Sequence, residues 1–154
     1  MRIGLGNDHG AYELKVAVKA HLTELGHEVV DFGSDTPDRV DYPDYGHAVG
    51  RAVVVGEVDR GIVMCGTGIG IGLAANKVPG VRCAMVSEAY SARLSRQHND
   101  ANMLSLGGRV VAPEYATMIV DEFLTASFEG GRHVARIAKI EEAGGSPSKL
   151  TGAL

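Results

Sequence analysis

Cys65 stands at the end of a short apolar run, Gly61-Ile62-Val63-Met64, and at the head of Gly66-Thr67-Gly68-Ile69-Gly70-Ile71-Gly72. Such a run reads as a buried strand, and the glycines then mark the passage from a sheet to a helix. Glycines there let backbone N–H groups close on a bound oxygen, and the positive end of the helix adds its partial charge. The same environment favours a thiolate, so a thiol at the mouth of the loop is placed to act as a base or a nucleophile. The bland reading of a lone cysteine is a small buried residue at a strand end. Four glycines at alternate positions, more than a structural turn needs, weigh against it.

Other chemistry-bearing residues fall where strands and helices end. Asp8-His9 follows Arg2-Ile3-Gly4-Leu5-Gly6; Asp8 suits a helix cap as well as a ligand, and His9 sits where open α/β sheets bind small molecules. Tyr42, beside Pro43, serves either a ligand or the packing of a helix entry. His98-Asn99 follows a helical stretch; either it is a C-terminal cap, or its imidazole moves protons near neutrality. Arg109 leaves a fifth strand, and Arg132 and Arg136 are one helical turn apart, suited to a solvated face or a phosphate clamp.

Two phosphate motifs fit poorly. No Gly-Lys-Ser or Gly-Lys-Thr follows the glycines, which excludes a Walker loop, and Gly70-x-Gly72-x-x-Ala75 with Glu88 is only a loose dinucleotide pattern. A nucleotide-binding module would leave Cys65 and His98 unemployed. The six histidines show no close spacing with one another or with the cysteines, so no metal is called for.

Strands and helices alternate along the chain. Leu14, Val18, Leu22 and Leu25 recur at helical spacing, with Lys15, Lys19 and Glu24 on the side left for water and Gly26 as the stop. Strands are expected at Glu28–Gly33, Gly61–Met64, Val81–Val86 and Met103–Gly107, and helices from Tyr42 to about Gly56, across Glu88–Gln97, from Pro113 to Leu124 and across Arg132–Ile140. His21, His27 and His47 are read as solvated, and Cys83 as core. This alternation predicts an α/β fold, a three-layer α/β/α sandwich of Rossmann-like type on a five-stranded parallel sheet. Asp8, His9, Cys65, Thr67 and Arg109 then leave the carboxyl edge, where one crevice can collect them.

A chain of 154 residues suits one domain, expected over residues 1–143, with Gly144 to Leu154 as a flexible tail. A net charge of −4 argues against nucleic acid and anionic membranes as partners, so an anionic ligand needs a local basic cluster. Two cysteines make no disulfide framework, and no leader pattern opens Met1-Arg2-Ile3-Gly4, which points to the cytoplasm. No apolar run reaches the ~20 residues that span a bilayer.

Taken jointly, several motifs make the chain resemble the family of ribose, galactose and allose phosphate isomerases. They are Asp8-His9-Gly10, Asp41-Tyr42-Pro43, Cys65-Gly66-Thr67-Gly68-Ile69-Gly70, Ala74-Ala75-Asn76-Lys77, Ser95-Arg96-Gln97-His98-Asn99-Asp100, Gly107-Gly108-Arg109-Val110 and Glu129-Gly130-Gly131-Arg132-His133. The resemblance implies interconversion of an aldose phosphate and a ketose phosphate through a cis-enediolate, without metal or cofactor. It implies Cys65 as acid/base, His98 assisting ring opening, Thr67 orienting the sugar, and the N–H groups of Gly66, Gly68, Ile69 and Gly70 around the enediolate oxygen. His9, Arg109, Arg132 and Arg136 would hold the phosphate, and Asp8 and Asn99 the hydroxyls. Some members use a glutamate farther along the loop; Ile71-Gly72-Leu73 offers none here, so the thiol version fits.

The family also implies a homodimer, or a dimer of dimers, whose active sites are shared between chains. Ribose 5-phosphate and ribulose 5-phosphate are the expected substrates, with allose or galactose 6-phosphate as the alternative. A catalytically silent subunit is the remaining possibility, against which Cys65, Thr67 and His98 together argue.

Overall fold

A computed structural model describes residues 1–143 of the chain; the tail expected from Gly144 onward lies outside the described residues. In order the elements are β1 (Arg2–Asn7), α1 (Tyr12–Glu24), β2 (Glu28–Asp31), α2 (Tyr42–Val54), β3 (Arg60–Cys65), α3 (Ile69–Ala75), β4 (Cys83–Met85), α4 (Ala89–Asn99), β5 (Met103–Gly107), α5 (Pro113–Thr125) and α6 (Arg132–Ala143). The strands form one five-stranded parallel sheet in the order β2-β1-β3-β5-β4. The expected three-layer α/β/α sandwich is therefore present.

Alternation of side chains along each strand divides the core in two. Ile3, Leu5, Ile62, Met64, Leu104 and Leu106 meet Leu14, Val18 and Leu22 of α1, Ala92 of α4 and Ile119 and Phe123 of α5. On the opposite face Val63, Cys65 and Met103 meet Val49 of α2 and Ile71 and Ala75 of α3. α2 lies close to the sheet because β3 carries Gly61 beneath it; a Cβ there would stand 2.7 Å from Val49 Cγ1. After β1 the chain turns to one face and after β3 to the other, which opens a crevice between their carboxyl ends.

Both edge strands are shorter than their apolar runs. β2 stops at Asp31 because its Oδ1 accepts from the Gly33 N–H at 3.0 Å, a local turn that competes with the ladder. β4 begins only at Cys83, and side-chain amides hold its approach. Asn102 Oδ1 accepts from the Arg82 N–H at 2.8 Å, and Asn76 both accepts from the Cys83 N–H at 2.8 Å and donates to its carbonyl at 2.9 Å.

Lys15 does not face water as the helical spacing implied. It is 3% exposed; its Nζ lies 3.1 Å from Asp31 Oδ2 and donates to the Ser34 carbonyl at 2.7 Å. Lys19 does stay at the surface and donates to the same carboxylate at 2.9 Å. Burial pushes the Asp31 carboxyl up, but bonds from Lys19, the Gly33 N–H and Lys15 bring it below its ordinary range. The hydrogen bond to Asp31 in turn raises Lys19. His21 is likewise not simply solvated: half-buried, its Nε2 lies 2.7 Å from Asp121 Oδ1 and ties α1 to α5. Among the described residues no helix is long and apolar enough to cross a membrane.

Candidate active site

Three loops converge at the carboxyl edge. The Asp8 N–H donates to the Met64 carbonyl at 3.1 Å, Gly108 N–H to Cys65 at 2.9 Å and Arg109 N–H to Gly66 at 3.0 Å, so the exits of β1, β3 and β5 are fixed to one another. Cys65, at the last position of β3, is 4% exposed and unpaired with any other cysteine. Arg109 lies across the glycine after it: a Cβ on Gly66 would be 3.6 Å from Arg109 Nη1. The sequence thus puts a guanidinium beside the glycine that follows the thiol, using two strands that are neighbours in the sheet but about forty residues apart in the chain.

The glycine loop owes its shape to Gly68. Its φ of +78° is left-handed, and the Ser105 hydroxyl of β5 donates to its carbonyl. α3 starts at the next residue, and the N–H groups of a helix's first turn have no partner within the helix. Thr67 is exposed on this loop, and its Oγ1 accepts weakly from the Ile69 N–H at 3.4 Å. Gly70 lies under the ring of Tyr42, so Tyr42 packs the start of α3 while keeping 40% of its surface exposed.

Asp8 and His9 complete this edge. Asp8 Oδ1 accepts from the Gly10 N–H at 2.8 Å and caps the short turn that leads into α1, which satisfies the capping reading. His9 Nδ1 accepts from the Val40 N–H at 3.3 Å. In the neutral ring this leaves the proton on Nε2, a donor for an anionic oxygen. Glu88, aligned with a ribose-binding acid in the loose dinucleotide pattern, caps α4 instead by accepting from the Ser91 N–H at 2.8 Å.

The remaining predicted residues are elsewhere. His98 and Asn99 form the last turn of α4 itself, ended by Asp100 at a φ of 44°, and do not follow the helix as expected. α4 runs antiparallel to the strands, so this turn is at the amino edge, next to Met103, whose partner in β3 is Gly61. Gly61 and Cys65 are four steps apart along β3, on the order of 13 Å. Arg132 and Arg136 lie on α6, whose start folds back onto His98, and are therefore also at the amino edge. One chain thus holds Asp8, His9, Tyr42, Cys65 to Gly70 and Arg109 at one edge of its sheet, and His98, Asn99, Arg132 and Arg136 at the other.

Two residues without an assigned role from the sequence join the second group. The rings of His98 and His133 stack with centroids 4.4 Å apart and planes 8° apart, and Glu129 Oε2 lies 3.7 Å from His98 Nε2 and 4.0 Å from His133 Nε2. Burial, then His98, Arg132 and Arg136, hold His133 below the usual imidazole range, with Glu129 opposing them. The spacing of four between Glu129 and His133 was a signal, but Gly130 and Gly131, with φ of 67° and 56°, interrupt the helix that would have given it meaning. These donors all lie within 4.8 Å of one another. Nearly parallel imidazole planes, however, direct their in-plane lone pairs side by side and not toward one point, as coordination to a metal requires.

The Ribose/Galactose Isomerase family model matches residues 3–140. The chain is 53% identical over 139 residues to ribose-5-phosphate isomerase B of Escherichia coli (strain K12), covering 90% of this chain and 93% of that protein. It is 39% identical over 141 residues to D-erythrulose-4-phosphate isomerase of Pectobacterium atrosepticum, covering 91% and 93%. Among solved structures it is similar to ribose-5-phosphate isomerase B of Clostridium thermocellum, with a TM-score of 0.92, 55% identity and 93% and 97% coverage. The type B ribose 5-phosphate isomerase of Trypanosoma brucei gives a TM-score of 0.89 at 41% identity, with 92% and 97% coverage.

Proposed function

From the premise that this chain belongs to the ribose/galactose isomerase family, and is a sugar-phosphate isomerase, we propose that it interconverts ribose 5-phosphate and ribulose 5-phosphate through a cis-enediolate. The observation that carries this reading is the Cys65 thiol at the end of β3, with Arg109 across Gly66 and the first turn of α3 beside it. Cys65 as thiolate takes the C2 proton of the open-chain aldose, the C2 hydroxyl proton passes to the C1 oxygen, and the thiol so formed returns a proton to C1, leaving the carbonyl at C2. A single group serves both steps, since the base of one direction is the acid of the other. As C2 loses its proton, negative charge grows on the C1 oxygen, where amides of Gly66, Gly68, Ile69 and Gly70 would each contribute about 3–4 kcal/mol. Thr67 orients the sugar, and Asp8 binds a hydroxyl. The enediolate route from aldose to ketose moves only protons, so this reading calls for no metal or organic cofactor.

His98 assists opening of the furanose ring, Asn99 binds a hydroxyl, and Arg132 and Arg136, with His9 and Arg109, bind the phosphate. Because one chain holds these groups at opposite edges of its sheet, the working site takes the amino-edge group of one copy and the carboxyl-edge group of another, in a homodimer. α6 supports this arrangement: it extends with Val134 and Ile140 about half exposed, an apolar stripe suited to a second copy. Two unpaired cysteines fit the reducing cytoplasm.

The test is conversion of ribose 5-phosphate by the purified protein in the presence of a chelator, against allose 6-phosphate, galactose 6-phosphate and erythrulose 4-phosphate. Preference for the pentose supports the assignment. Selective turnover of a hexose or a tetrose keeps the chemistry and changes the substrate, and no turnover of any of them rejects the reading.

A further inference from the structure

The loop from Glu129 to His133 is built onto the end of α4. The Glu129 N–H donates to the Gln97 carbonyl at 2.9 Å, which fixes the carboxylate one residue from His98. Two successive glycines with positive φ then reverse the chain, and the His133 N–H donates to the Gly130 carbonyl at 3.1 Å, so that its ring returns onto that of His98. The result is two stacked imidazoles whose Nε2 atoms face one carboxylate oxygen. Two imidazolium ions at this spacing repel, so a proton on one ring disfavours a second proton on the other.

The surrounding charges decide which ring holds a proton more readily. His133 is 6% exposed and has Arg132 and Arg136 beside it, whereas His98 is half-buried and opens to solvent. On the other side of the turn, Arg82 pairs with Asp100 and Glu141, and Arg96 pairs with Asp100. Those two carboxylates are thus engaged, and Glu129 is the one that faces the imidazoles.

We propose that Glu129 is a positioning residue for His98: its carboxylate, facing both stacked rings, stabilises on His98 Nε2 the proton that ring opening uses. This rests on His98 as the ring-opening group. In that step the C1–O4 bond breaks, its electron pair stays on O4 and takes the His98 proton, and the C1 hydroxyl releases its proton to water to leave the aldehyde. Solvent then reprotonates His98.

The test combines an NMR titration of the histidine Cε1–H signals, with His98→Asn to assign them, and the pH profile of kcat/KM for ribose 5-phosphate. In Glu129→Gln the His98 midpoint should fall by roughly one pH unit. The alkaline limb of the profile should move with it, activity below both limbs should stay within about twofold, and Glu129→Asp should lie between. The amide keeps the volume and the backbone bond, so a merely structural role would leave both midpoints in place. Superimposable midpoints in native and Glu129→Gln protein overturn the proposal. So does stoichiometric binding of zinc alone that shifts both histidine signals and is lost in Glu129→Gln. Absence of turnover in the native protein would sink the isomerase reading, while the NMR titration would still decide the role of Glu129.

Discussion

Gly70 lies beneath the ring of Tyr42, so close that a Cβ would stand 2.8 Å from both Cε2 and Cζ of the ring. The start of α2 and the start of α3 are thereby locked together at the mouth of the glycine loop. Gly70→Ala must displace the ring and is expected to cost about 1–3 kcal/mol in urea unfolding, with a raised KM. In a Tyr42→Ala background the methyl has room, so the penalty should shrink by about 1 kcal/mol or more. Strictly additive losses would show that the contact does not govern the loop.

Cys65→Ala should fold and bind sugar phosphate while kcat falls by about 10²–10⁴, the range for loss of a positioned acid/base. Cys83→Ala is the matched control. Its thiol is buried and pushed up to about 12 by that burial, so it does no acid/base work near neutrality. Near-native turnover in Cys65→Ala, measured by formation of the ketose, would remove the thiol from the mechanism.

Asp31 should set the acid limit of stability. Its folded pKa lies below the ordinary 3.8 of the unfolded chain, so its contribution is complete above that value and is lost as pH falls through the folded one. Lys19 is raised above 10.5, so its contribution is complete below that pH and is lost only in more alkaline solution. Chemical unfolding should therefore give a plateau between about pH 4 and 10 from this pair. Asp31→Asn leaves Lys15 buried without its counter-ion, an expected loss of about 3 kcal/mol at neutral pH that also flattens the acid limb. An unchanged acid limb in that variant would assign it to other carboxylates.

Asn76 substitutes for a neighbouring strand by pairing with both backbone groups of Cys83. Asn76→Ala should cost about 2 kcal/mol, since it strands a donor and an acceptor at the edge of the sheet. Hydrogen exchange should quicken at Cys83 first; uniform quickening across the sheet would mean the bond pair is not a local clamp.

Mixing Cys65→Ala with His98→Asn protein tests the sharing of the site. If each site takes Cys65 from one copy and His98 from the other, random pairing restores one intact site in half of the pairs, about a quarter of native activity. Were both groups supplied by one chain, every site would keep a lesion and mixing would restore nothing.

The carboxyl-edge group was legible because β–α alternation fixes direction. A strand followed by a helix must present its exit at one edge, so the sequence alone collects Asp8, Cys65 and Arg109 there. The amino-edge group was not legible as a group: the sequence pattern ends the helix at Gln97 and leaves His98 beyond it, whereas His98 is in the last turn of α4. Helical periodicity also misplaced Lys15, because a long side chain reaches a carboxylate on the next strand across a distance that periodicity does not measure. The histidine stack was not readable at all, since it depends on two glycines that reverse the chain.

Placing complementary groups at opposite edges of one parallel sheet has a kinetic consequence. If the working site is shared between two copies, as proposed, turnover per chain is a function of protein concentration. Above the dissociation constant of the pair it is constant, and below it the specific rate declines in proportion to dilution. With a shared site, a cell that makes less of this protein would lose flux faster than it loses polypeptide.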